Sequence, residues 1–145
     1  MPGRPRAIAS LLVCILALVL AGTAQAAPSA IEKRLAARIN DARDSHGLRK
    51  LRIAPKLAEG SRWWARHLIR RDKFHHSRLR AGTGEVLAWG TCSWFTARRA
   101  VRLWLRSPGH RALVFRRGFR VVGTGWARGP WRGYDCVEMA VARFR

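Results

Sequence analysis

The carboxy-terminal 27 residues constrain the fold more than any other stretch. FRVVGTGWA (119–127) and YDCVEMAVARFR (134–145) are rich in Val, Phe and other aromatics, and the turn-forming RGPWRG lies between them. Two such runs across a Gly/Pro-rich turn predict an antiparallel hairpin. The segments ahead of the hairpin read as helices, so the expected class is α+β, with three main helices covering a small antiparallel sheet.

Those helices are marked by caps and by spacing. Ser29 followed by Glu32 matches a capping box, and Ile31, Leu35, Ile39 and Ala42 recur at helical intervals, predicting a first helix over 30–46. Gly47 suits a left-handed stop and Leu48 the apolar contact behind it. Leu51 and Ile53 predict a short extended link, and Pro55 fits the first turn of a second helix. That helix puts Leu57, Ser61, Trp64, Ala65 and Leu68 on one face and ends near Arg71, while Trp63 and Ile69 widen its apolar surface and predict a well-covered helix. A third helix is expected over 94–106 after Ser93 as cap. Trp94, Ala97, Val101, Trp104 and Leu105 would be buried, with Arg98, Arg99, Arg102 and Arg106 outside. The aromatic stripe reads as core.

The amino-terminal residues have a different character. MPGRPR carries two arginines, a 16-residue apolar run follows, and Ala24-Gln25-Ala26 offers an Ala-x-Ala cleavage pattern. Residues 1–26 therefore read as a signal peptide, the run being shorter than the about 20 residues of a bilayer span. Cys14 does not fit a lipoprotein site, because Val13 precedes it and the apolar run continues beyond. The remainder, 27–145, is one domain's worth of chain without an internal repeat, expected to be a secreted, extracellular monomer with no stable transmembrane span after cleavage.

Charge narrows the partners. The chain has 29 Lys and Arg against 8 Asp and Glu, a formal +21, and loss of Arg4 and Arg6 leaves 27 against 8, or +19. Such a surface attracts polyanions: anionic lipid, acidic cell-wall polymers or nucleic acid. Nucleic acid is set aside, because the export signal points away from it and no recognised motif is present. The alternative is a tolerant surface written by a GC-rich genome, since only four of the basic residues are lysines. With Cys14 in the leader, Cys92 and Cys136 remain, and an isolated pair in an exported chain is expected to be bridged. Closing that loop stabilises by roughly 4 kcal/mol in the chain-entropy model.

The order of INDARDSHGLRKLRI, KFHHS, GEVLA, AVRLWLRSPGHRALV and FRVVGTGWA resembles the CAP superfamily, the SCP domain of cysteine-rich secretory, antigen 5 and pathogenesis-related 1 proteins, in its short bacterial form. The resemblance covers about 31–144. It implies an α-β-α sandwich with a cleft lined by two histidines and two acids, sometimes holding a divalent ion such as zinc. Carried onto this chain, the first histidine is His76, the first glutamate Glu85 and the second histidine His110. Where longer members have a second glutamate this chain has Ser107, and Val86 replaces the asparagine that usually follows the first. Glu138 is a candidate replacement acid, and His75 competes with its neighbour for the cleft.

The Ser-Pro-Gly-His turn has its own logic. Ser107 and Pro108 suit the N-cap and first position of a new helical turn, with the Ser oxygen expected to accept from the amide of His110. A histidine at that end is favoured neutral, the form that binds metal. His76, Glu85 and His110 would then form an open His-His-Glu set for zinc. Three functions follow. The preferred one is a secreted binding module whose cleft and basic surface take a lipid, metal or acidic envelope ligand. The alternatives are a metal-dependent hydrolase or peptidase using His76, Glu85 and His110, and a cationic membrane-active protein. An enzyme is the less favoured reading, since no oriented nucleophile is evident.

Overall fold

A computed structural model describes residues 26–145. The leader expected over 1–26 lies outside the described residues except for Ala26. In chain order the elements are α1 (Ala30–Asp44), β1 (Arg52–Ile53), α2 (Pro55–Arg70), β2 (Gly84–Thr91), α3 (Ala97–Arg106), α4 (Pro108–Val114), β3 (Val121–Trp131) and β4 (Tyr134–Phe144). The fold is α+β, as expected. Its sheet has four strands in the order β1-β3-β4-β2, with β1 parallel to β3 and the other pairings antiparallel.

Side-chain alternation sorts the sheet into two faces. Val137, Met139 and Val141 of β4, with Leu87 of β2, pack against Trp64, Ala65 and Leu68 of α2. Ala140, Ala142 and Phe144, with Val86 and Ala88, pack against Leu35, Ile39, Val101, Trp104 and Val114 from α1, α3 and α4. The layers are therefore α2, the sheet, and the other three helices.

Helix α2 lies unusually close to β3. A Cβ on Gly123 would stand 2.2 Å from the backbone of Leu57 and Ala58, and one on Gly125 2.2 Å from the backbone of Ser61 and Arg62. The two glycines of GTG thus admit the helix backbone, and the Ser61 hydroxyl donates to the Gly123 carbonyl at 2.8 Å.

Two buried charged groups join α1 to the rest. Glu32 completes the capping box with Ser29 and accepts from Arg62 of α2 at 2.8 and 3.1 Å. Arg43, 1 % exposed, donates to the carbonyls of Arg49, Val114 and Arg116 and so anchors the end of α4. Cys92, just past β2, is disulfide-bonded to Cys136 of β4, as expected.

Several boundaries differ from expectation. GEVLA begins a strand buried on both faces, so it lacks the alternation that identifies a half-buried strand. Helix α3 starts at Ala97, not Trp94, because Thr96 rather than Ser93 caps it by accepting from the Arg99 amide. Phe95 is buried in consequence, while Trp94 is 44 % exposed beneath the Arg99 guanidinium. Trp63 is likewise 53 % exposed, so α2 is not covered all round. Strand β3 runs through most of RGPWRG, with a register shift between Gly129 and Trp131. Only Arg132 and Gly133 turn, both at positive φ.

Candidate functional site

Glu85 is the second residue of β2 and stands opposite Arg143 of β4 in the antiparallel register. Both side chains lie on the α2 face. Glu85 is 3 % exposed, and its carboxylate accepts from four donors. The Ser77 amide and the His76 Nδ1 reach one oxygen at 2.9 and 3.0 Å; the Ser77 hydroxyl and the Arg143 Nε reach the other at 2.6 and 2.9 Å. Arg143 also donates to the Ser77 hydroxyl at 3.0 Å. Gly60 of α2 makes room for this guanidinium, since a Cβ there would sit 2.7 Å from its Nη1. Glycine is costly inside a helix, by roughly 1 kcal/mol against alanine, so its place is explained by what it accommodates.

Electrostatics follow from this geometry. Burial alone would raise the Glu85 pKa, but Ser77, Arg143 and His76 together hold it below the ordinary 4.5. At neutral pH the carboxylate is ionised and can only accept, so the His76 Nδ1 that faces it carries a proton. The His76 side chain is 56 % exposed, which opens this end of the network to solvent. Its ring centroid lies 6.1 Å from that of His110. Burial, and secondarily the neighbouring His76, lower the His110 pKa, which favours the neutral form of the His110 ring at pH 7.

The Ser-Pro-Gly turn is a restart, as expected, but not by the expected bond. Ser107 ends α3 through its amide and begins α4 through its carbonyl, which accepts from Arg111 at 2.8 Å; its hydroxyl makes no cap bond to His110. The two helices abut at this residue, whose extended backbone (φ −92°, ψ 119°) turns the chain between them. Of the expected site residues, His76 is the link: it is hydrogen-bonded to Glu85, and its ring centroid lies 6.1 Å from that of His110. Glu138 does not join them. It alternates onto the α1/α3 face and lines a separate groove with Arg34, Arg38, Arg98 and Arg128. His75 packs its ring in a T-shaped contact with Trp64, centroids 5.2 Å apart, and has no ring contact with His110 among those the structure shows. Val86 also points to the opposite core, so the substitution there leaves Glu85 under the control of Ser77 and Arg143. The sequence reading missed Arg143, Ser77 and Gly60; only the β2–β4 register reveals the first.

As a cation site the donors are two imidazoles, one of them oriented by a carboxylate. Among the described residues no group of three His, Cys, Asp or Glu stands close enough to hold a metal ion. A divalent ion such as zinc would take His76 and His110 as direct ligands, one fewer than the three of typical open sites.

Acid should loosen this structure. Glu85 and Glu32 both have folded pKa values below the ordinary 4.5, in each case because hydrogen-bonding partners outweigh burial. Their stabilisation is complete above about pH 4.5 and is lost as pH falls through the folded values. The melting temperature is expected to drop steeply between pH 5 and pH 3 in calorimetry; an unchanged value at pH 3 contradicts it.

The comparisons agree with this architecture. The model of the cysteine-rich secretory protein family, CAP, matches residues 36–144. Solved structures with the same fold include an outer surface protein of Borrelia burgdorferi, 22 % identical, with TM-score 0.62 over 77 % of this chain and 89 % of that one. MpPR-1i is 16 % identical, with TM-score 0.62 over 82 % and 89 %. A cysteine-rich secretory protein of Staphylococcus aureus is 15 % identical, with TM-score 0.52 over 87 % of this chain but 39 % of its own. No curated protein sequence matches.

Proposed function

Because the chain belongs to the CAP family of cysteine-rich secretory proteins, we propose that it is an exported binding module whose cleft and basic surface hold an anionic envelope ligand, lipid or wall polymer. The observation that carries this is the His76–Glu85–Arg143 network, which presents His76 toward His110 at an open face. The formal +21 of the chain supplies attraction to anions. Export is supported by the leader-like residues and by the surface location named for the Borrelia neighbour. Among the described residues no helix is long and apolar enough to cross a membrane.

A divalent ion on His76 and His110 is the second reading, favoured by the 6.1 Å approach of the two rings. When bound, such an ion would polarise a ligand carbonyl or a water. Glu85 is a poor general base for hydrolysis, because both oxygens are engaged and its affinity for a proton is lowered. Its role is to fix the proton on His76 Nδ1.

Sedimentation tests the binding reading. At low salt the protein is expected to pellet with phosphatidylglycerol vesicles or anionic wall polymer and not with phosphatidylcholine alone. A His76→Ala, His110→Ala variant should be at least about tenfold weaker. No retention on any anionic phase contradicts the reading. Retention unchanged in the double variant and abolished by high salt transfers the function to the cationic surface alone.

A further inference from the structure

We propose that the cavity beside the histidine pair is a saccharide subsite, in which Trp63 forms the stacking shelf and Arg78 and Arg143 receive the carboxylate of an acidic pyranose. The proposal deepens the binding reading and rests on it. The cavity measures about 530 Å³ and is lined by Trp63, Trp64, His75, His76, Ser77, Arg78 and Arg143. That volume lies in the range of small-molecule sites.

The shelf is built, not incidental. Trp63, Trp64 and His67 lie within about one turn of α2, and their rings stack with centroids 5.8, 5.0 and 4.8 Å apart. Trp64 Nε1 donates to the His75 carbonyl at 3.2 Å, which ties the stack to the segment carrying His76 and Ser77. Trp63 belongs to neither core and is 53 % exposed, so a large apolar ring is held in place with much of its surface open to solvent. An indole held this way offers an apolar face with a polar rim, the geometry that receives the C–H face of a pyranose.

The polar lining chooses the sugar. It contains two arginines, a serine and two histidines, and no Asp or Glu. A neutral sugar brings hydroxyl donors that find few acceptors here, whereas a carboxylate is matched by guanidinium groups. Arg78 is exposed at the rim, and Arg143 already donates to Ser77 and Glu85. The ligand class is therefore a carboxylated pyranose within an acidic glycan, reaching toward His76.

Calorimetric titration and saturation-transfer NMR with trigalacturonate, and with its methyl ester as the neutral counterpart, test the proposal. The expected result is saturable binding of trigalacturonate that weakens at least about tenfold on esterification and in Trp63→Ala. The variant should melt as the parent does, because Trp63 lies outside both cores. Arg78→Gln, at an exposed loop position, should weaken the acid and leave the ester unaffected. Absence of saturable binding, or equal affinity in Trp63→Ala, overturns the shelf; equal binding of acid and ester overturns the carboxylate assignment. Vesicle or wall-polymer retention measured on the parent separates the two readings: retention kept while trigalacturonate fails to bind sinks the subsite and leaves the module.

Discussion

Gly123→Ala is expected to lower stability by about 3 kcal/mol or more, the upper part of the overpacking range and beyond. The added methyl would stand 2.2 Å from the backbone of Leu57 and Ala58, which cannot rotate aside as a side chain can. Helix α2 would have to lift from β3, weakening the Ser61–Gly123 hydrogen bond as well. For a domain of this size the melting temperature should fall by about 10 °C or more. Gly118→Ala is the control, since nothing lies within 4 Å of a Cβ there. Equal melting of the two variants would show that α2 does not depend on this close approach.

Local chemistry explains which elements could be read in advance. The capping box at Ser29 and Glu32 and the left-handed Gly47 (φ +64°) are short-range signals, and both occur as expected. The hairpin was legible from its two apolar runs, though not its turn, because β3 continues past Pro130 through a register shift. Strand β2 was hidden for a tertiary reason: both of its faces are buried, so apolarity carries no period. In TCSWFTARR both Ser93 and Thr96 are chemically able to cap. The choice is made by whether Trp94 or Phe95 enters the core, which only the packed structure decides.

Glu85→Gln is the second large effect. Breaking a buried pair from one side costs about 3–5 kcal/mol, because the remaining charge keeps its desolvation penalty without its partner. Here Arg143, with a side chain 14 % exposed, loses its carboxylate, and Ser77 loses an ionic acceptor. Urea titration should show the loss, and Glu85→Gln with Arg143→Met should recover part of it by removing the stranded guanidinium. A melt within about 2 °C of the parent would mean that the network contributes little.

The candidate site was legible only in part. His76, Glu85 and His110 came from the family resemblance, and the structure brings them together across 34 residues of sequence through β2 and the α3–α4 junction. What the linear chain concealed is the division of roles. Glu85 looks like a third ligand beside two histidines, yet Arg143, 58 residues away, and Ser77 occupy its oxygens. Pairing β2 with β4 in the correct register is a global property, and no local pattern around GEVLA or ARFR announces it. Glu138 was an available acid by composition and is excluded by strand parity.

An ionised, anchored Glu85 fixes the proton of His76 on Nδ1. Long-range ¹H–¹⁵N correlation of the His76 ring at a pH where it is neutral reads this directly. The account predicts the Nδ1–H tautomer in the parent and its loss in the folded fraction of Glu85→Gln; an Nε2–H tautomer in the parent would contradict it.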